Sequence, residues 1–155
     1  LFDPDGMTTR AMLVSILYRM AGEPDVSELP ETPFEDVGPD AWYADAVRWA
    51  YANEVAAGMD DTHFAPDDRL TRAQLVTMLY RAYGPEKDVR PRPIGGYTDW
   101  NTVPEWAYPA ATWAVSMGLL YGTSSTQLSP NAGANRAQLA AFMMRTCELQ
   151  SELDA

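Results

Sequence analysis

The sequence predicts a mainly α-helical chain built from internal repeats, and three observations lead there. An arginine opens an apolar stretch in one frame three times, as Thr9-Arg10-Ala11, Thr71-Arg72-Ala73 and Asn135-Arg136-Ala137, at spacings of 62 and 64 residues. A segment with two tryptophans recurs, Trp42 and Trp49 returning as Trp106 and Trp113, and Gly58 returns as Gly122. Self-similarity at such a period marks a chain made by duplicating one supersecondary unit.

The arginine stretches predict core helices over about 10–21, 72–83 and 136–149. Val14, Leu17, Tyr18 and Ala21 fall at i, i+3, i+4 and i+7, matched by Val76, Leu79, Tyr80 and Tyr83, the spacing of one helical face. Leu13, Ile16 and Met20 widen the stripe, as in a helix covered on several sides. Thr9, Thr71 and Asn135 are the N-caps, and Gln74 and Gln138 complete capping boxes that Met12 cannot. Shorter helices over about 42–53 and 106–117 carry the tryptophans outside this core. The segments 21–33 and 84–96, rich in Pro and Gly, link successive copies within one domain, and strand is minor. An apolar-X-Pro turn precedes each arginine: Phe2-Asp3-Pro4, Phe64-Ala65-Pro66 and Leu128-Ser129-Pro130.

Together these motifs resemble the S-layer homology repeat of bacterial surface proteins: Phe34-Glu35-Asp36-Val37, Trp42-Tyr43-Ala44-Asp45-Ala46-Val47, the glycine loop, Phe64-Ala65-Pro66-Asp67, Thr71-Arg72-Ala73-Gln74-Leu75 and Leu79-Tyr80-Arg81. The resemblance implies helix-loop-helix repeats packed as a pseudo-threefold three-helix core with short peripheral helices. It implies non-covalent anchoring to cell-wall polysaccharide, often pyruvate-bearing, or to a peptidoglycan-linked glycan, in grooves between repeats. The location implied is extracellular, at the cell wall or S-layer, with the export signal outside these residues. One domain then comprises a partial repeat over 1–33, a second over 34–96 and a third over 97–155. Most members have Glu after Thr-Arg-Ala, where this chain has Met12, Gln74 and Gln138; Ala107 and Pro109 replace the second copy's Tyr43 and Asp45.

The first copy has no tryptophan segment ahead of it, so one groove is expected to be incomplete. An apolar seam along the first core helix would then favour dimerisation or domain exchange.

The expected glycan-binding residues are Arg10, Arg72, Arg136, Trp42, Trp106, Gly58 and Gly122. A helix N-terminus offers amides and a positive dipole end, and an arginine there adds a guanidinium fork suited to a carboxylate. The structural alternative pairs these arginines with Asp36, Asp67 or Asp99. Trp42 and Trp106, at the helix starts, are placed to stack on sugar rings, whereas Trp49, Trp113 and Trp100 read as packing. Gly58 and Gly122 suit either a positive φ at a helix end or close ligand approach. Arg19, Arg81 and Arg145 suit the negative ends of the core helices.

Composition bounds the function. The 155 residues carry a net charge of −11, which argues against nucleic acid as a partner. Ten of the 11 basic residues are arginine, the residue that recognises oxyanions by shape as well as charge. No apolar run approaches the roughly 20 residues of a membrane span, so insertion is not expected. One cysteine, Cys147, forbids an intramolecular disulfide, and with the single His63 it offers no metal site of ordinary zinc composition. The Asp-rich turns miss the calcium-loop spacing. No cofactor and no catalysis are expected, although counting carboxylates does not exclude a glycosidase pair. The rival reading is a structural or protein-interaction module with degenerate grooves.

Overall fold

The computed structural model describes residues 3–84 and 94–154. Among them are α1 (Arg10–Met20), α2 (Ala44–Ala52), α3 (Arg72–Tyr83), α4 (Tyr108–Ser116) and α5 (Arg136–Asp154), with short 3-10 turns at Trp100–Thr102 and Glu105–Ala107. Isolated bridges take the place of strands in these residues. The chain divides into two compact units, Thr8–Arg69 and a second made of Leu1–Met7 with Leu70–Ala155. Phe2, and with it the first apolar-X-Pro turn, lies outside the described residues, as does most of the link over 84–96.

The three arginine helices begin where the caps predict. Thr71 Oγ1 accepts from Gln74 N–H at 3.1 Å while Gln74 Oε1 accepts from Thr71 N–H at 3.0 Å, and Asn135 and Gln138 repeat the exchange. At Thr9 the structure departs from expectation, because Met12 does close the box: its thioether sulfur lies 3.5 Å from Thr9 N. Sulfur is a weak acceptor, but it is the one in reach.

Helix ends follow local chemistry. Helices α1, α2 and α4 each stop in a six-to-one turn with the residue after the cap at positive φ, namely Gly22 (86°), Glu54 (57°) and Gly118 (70°). The positive φ expected at Gly58 and Gly122 therefore falls four residues earlier. Pro109 fits only the first turn of α4, so that helix starts at Tyr108 and a 3-10 turn takes up Trp106. Helix α5 continues five residues past its predicted end, through a stretch without Gly or Pro.

In the Thr8–Arg69 unit α1 packs on α2, burying Leu13, Val14, Leu17, Ala46, Val47 and Ala50. Tyr18 meets Trp49 at 5.9 Å between ring centroids. Arg48 on α2 donates to the carbonyls of Leu29 and Pro30 and fixes the link that follows α1. In the other unit α3 packs on α4, burying Leu75, Val76, Leu79, Ala110, Ala111 and Trp113, and Tyr80 meets Trp113 at 5.5 Å. Trp100, expected to pack, is 46% exposed, since its 3-10 turn holds the ring outside the α3–α4 contact.

Candidate functional site

The first amides of each arginine helix, left without partners inside the helix, are taken by the loop of another copy. Arg72 N–H donates to Ala132 O at 2.9 Å and Ala73 N–H to Pro130 O at 2.8 Å. Arg10 and Ala11 use Asp68 O and Pro66 O in the same way, and Arg136 and Ala137 use Gly6 O and Pro4 O. With Gln74 N–H on the Thr71 cap and Leu75 N–H on Thr71 O, the start of α3 has no amide left for a ligand. The helix N-terminus expected to receive an anion is closed.

The side chains of Arg72 and Arg10 bind backbone carbonyls. Arg72 Nε donates to Leu128 O at 3.1 Å and Nη2 to Tyr121 O at 2.5 Å. Arg10 repeats this with Phe64 O at 2.8 Å and Ala57 O at 2.6 Å, and its guanidinium carbon lies 4.6 Å from the Phe64 ring centroid. Arg72 is 4% exposed, and burial pushes its guanidinium below its ordinary value, opposed by nearby Tyr97 and Asp99. Asp36 and Asp99, offered as ion-pair partners, serve the backbone. Asp99 accepts from Leu128 N–H and Ser129 N–H at 2.8 Å each, and Asp36 accepts from Phe64 N–H and Ala65 N–H. These carboxylates stabilise two residues at positive φ without being glycine, Ala65 at 57° and Ser129 at 53°.

Gly58 and Gly122 sit where the hairpin that follows them crosses the backbone. A Cβ on Gly122 would lie 2.4 Å from the carbonyl oxygens of Ser124 and Gln127, and one on Gly58 would lie 2.4 Å from Asp60 O. The required property is close backbone approach.

Around Arg72 these parts border an open cavity of about 310 Å³, at the small end of the roughly 300–1,000 Å³ typical of small-molecule sites. Arg72, Arg145, Tyr121, Gly122, Thr123 and Gln138 line it, with Phe142 as its largest apolar wall. Among the described residues no carboxylate lines it, in a protein of net charge −11. The site therefore suits a small, partly polar, anionic ligand.

The expected site residues divide on this map. Arg72 and Gly122 meet in the cavity, and Trp106, 54% exposed, is not among its lining residues. Trp42 is 66% exposed and contacts Tyr43 edge-on. Arg136 is half-buried, and its Nε has no hydrogen-bond partner among the described residues. Arg19 makes an exposed ion pair with Glu23 at 3.8 Å. His63 lies in an exposed turn with Nδ1 3.0 Å from Asp60 Oδ1, and that bond raises its pKa. A second cavity, of about 250 Å³ in the Thr8–Arg69 unit, is lined by Glu31, Asp45 and Arg48, and this arginine is already bound to backbone carbonyls.

Sequence reasoning missed Tyr121, Thr123 and the groove-lining position of Arg145. One signal was legible: position 121 is Tyr where the equivalent position 57 is Ala, a large aromatic introduced beside a repeated glycine.

Known proteins match this chain over nearly its whole length. The model of the S-layer homology domain matches residues 33–76 and 96–140. The Surface-layer 125 kDa protein of Lysinibacillus sphaericus is 31% identical over 153 residues, covering 95% of this chain and 12% of that protein. An Endoglucanase of Bacillus sp. (strain KSM-635) is 31% identical over 92% of this chain and 15% of its own length. The Cellulosome-anchoring protein of Acetivibrio thermocellus is 25% identical over 96% of this chain and 34% of its own length. The chain thus spans a minor part of each of these relatives. The two tandem matches fall on the copies that carry the glycine loops and the carbonyls held by Arg10 and Arg72, and the chain belongs to the S-layer homology domain family.

Proposed function

We propose that this chain is an extracellular anchoring module that holds a surface protein non-covalently to anionic, pyruvate-bearing cell-wall polysaccharide. The observation that carries the reading is the acid-free cavity with two arginines in a strongly acidic protein. The names of its relatives, a surface-layer protein and a cellulosome-anchoring protein, support the same use. The endoglucanase likeness covers a small share of that enzyme, and we assign binding, not catalysis, to this chain.

The principal groove in this proposal is the one at Arg72 and Gly122. Arg10 with Gly58, and Arg136, mark its equivalents, while the exposed Trp42 and Trp106 supply flat faces for sugar rings at the surface. The repeats are assigned to 1–33, 34–96 and 97–155. Dimerisation through the incomplete first copy belongs to the same proposal. A concentration-dependent rise in sedimentation coefficient is the expected result, and a clean monomer at high concentration overturns this element.

Co-sedimentation with Gram-positive sacculi tests the anchoring function. The protein should pellet with native walls and stay in solution with walls stripped of secondary polysaccharide. Equal behaviour with both preparations would overturn the reading in favour of a structural or protein-binding module.

A further inference from the structure

We propose that Arg145, rather than Arg72, makes the bidentate contact to the acidic group of the glycan in this groove. The inference rests on the anchoring reading and identifies the residue that sets the groove's specificity. Arg72 has already committed the Nε and Nη2 edge of its guanidinium, the same edge that Arg145 keeps open. In Arg72, Nε and Nη2 donate to Leu128 O and Tyr121 O, and the side chain is almost wholly buried. The amides at the start of α3 are closed as well. Arg72 is therefore a positioning residue, which holds the loop carrying Tyr121 and Gly122 in place and adds positive charge behind it.

Arg145 is in the opposite condition. It lines the same cavity and is half-buried. Its one hydrogen bond is a long one, from Nη1 to Leu119 O at 3.4 Å, which leaves the Nε and Nη2 edge without an acceptor among the described residues. No carboxylate of the described residues forms an ion pair with it. Its guanidinium carbon stands 4.3 Å from the Tyr121 ring centroid, a cation–π contact that fixes the plane of the fork before a ligand arrives. A planar guanidinium with one open edge, held over an aromatic ring in an acid-free cavity, is built for a carboxylate or a phosphate ester on a sugar. Tyr121 itself remains 55% exposed, leaving ring surface for the pyranose that carries the anion.

This arrangement is particular to the third copy. Arg19, at the equivalent helix position in the first copy, points its charge at Glu23, and the residue equivalent to Tyr121 in the second copy is Ala57.

Calorimetric titration tests the assignment with four probes: the methyl glycoside of an N-acetylhexosamine bearing a 4,6-linked pyruvate ketal, its methyl ester, the corresponding 6-phosphate and the unsubstituted glycoside. Wild type should bind an acidic probe and lose at least about tenfold on the ester or the unsubstituted sugar. Arg145→Lys, which keeps the charge but not the fork, should lose about tenfold or more toward the acid. It should match wild type on the neutral probes and keep the thermal midpoint of wild type. Whether ketal or phosphate is preferred identifies the oxyanion. Arg81→Lys, the same change in the second copy, should leave this site unaltered. If Arg145→Lys binds the acid within about twofold of wild type, the assignment is overturned while sedimentation with native walls still upholds anchoring. If wild type pellets with walls but does not distinguish acid from neutral sugar, the assignment is again overturned. If it neither pellets nor binds, both readings fall.

Discussion

The phenolic oxygen of Tyr97 accepts a hydrogen bond from Gly122 N–H at 3.2 Å, and its ring occupies the space a side chain at position 122 would need. The added methyl of Gly122→Ala would meet two carbonyl oxygens at 2.4 Å and the Tyr97 ring at 2.7 Å. Backbone on two sides leaves little room to yield, so the substitution should cost about 1–3 kcal/mol in urea denaturation. Tyr97→Phe, which removes only the hydrogen-bond acceptor, should cost roughly 0.5–1.5 kcal/mol.

Asp99 gives the protein an acid-sensitive joint. The hydrogen bond from Leu128 N–H holds its carboxyl below the usual carboxylate range against the effect of burial, and Ser129 N–H and Arg72 add to it. A folded-state value lowered from an unfolded value of ~3.9 means stability that is fully present above that pH. It is lost as pH falls through the lowered folded value. Asp99→Asn should therefore destabilise the protein at neutral pH and flatten the acid limb of its stability curve, measured as urea midpoint against pH from 2 to 7.

Arg72→Leu should be costly out of proportion to the charge removed. It leaves Leu128 O without its donor in a buried setting and Tyr121 O without one in a partly buried setting, and the buried orphan alone costs about 1–3 kcal/mol. The thermal midpoint should drop clearly, and hydrogen exchange of the amides of residues 119–128 should accelerate before the rest of the unit opens.

Trp106 and Trp113 of the third copy should separate cleanly. Trp113 is 6% exposed against Tyr80, whereas Trp106 is 54% exposed. Trp113→Ala should destabilise by roughly 3–5 kcal/mol. Trp106→Ala should stay within about 0.5 kcal/mol of wild type, so that any loss of wall binding it causes reports on contact with the wall and not on unfolding.

The helices were legible because the sequence states them more than once: apolar residues at helical spacing, a cap before each arginine and glutamines at the third position. The start of α4 was less so, because Pro109 read as a departure from the second copy when it was also the marker of a first helical turn. Arginine as the special residue was visible, but its partners were not. They are carbonyls 49 and 56 residues away for Arg72, and no local pattern announces a backbone acceptor at that distance. At Gly122 the positive φ offered as one reading is not what the fold requires, since a sequence shows that glycine is present and not whether torsion or crowding requires it. Arg145 read as a complement to a helix end, because its relation to Tyr121 exists only once the loop is folded against α5.

Both well-formed clamps draw donor and acceptor from different copies: Arg72 of the second holds Leu128 and Tyr121 of the third, and Arg10 of the first holds Phe64 and Ala57 of the second. A single copy excised from the chain would carry a guanidinium evolved for burial and a loop whose carbonyls await another copy's arginine. The repeating unit of this architecture is thus shorter than the unit that satisfies its own polar groups, and adding or deleting one copy reassigns the partnerships at the junction.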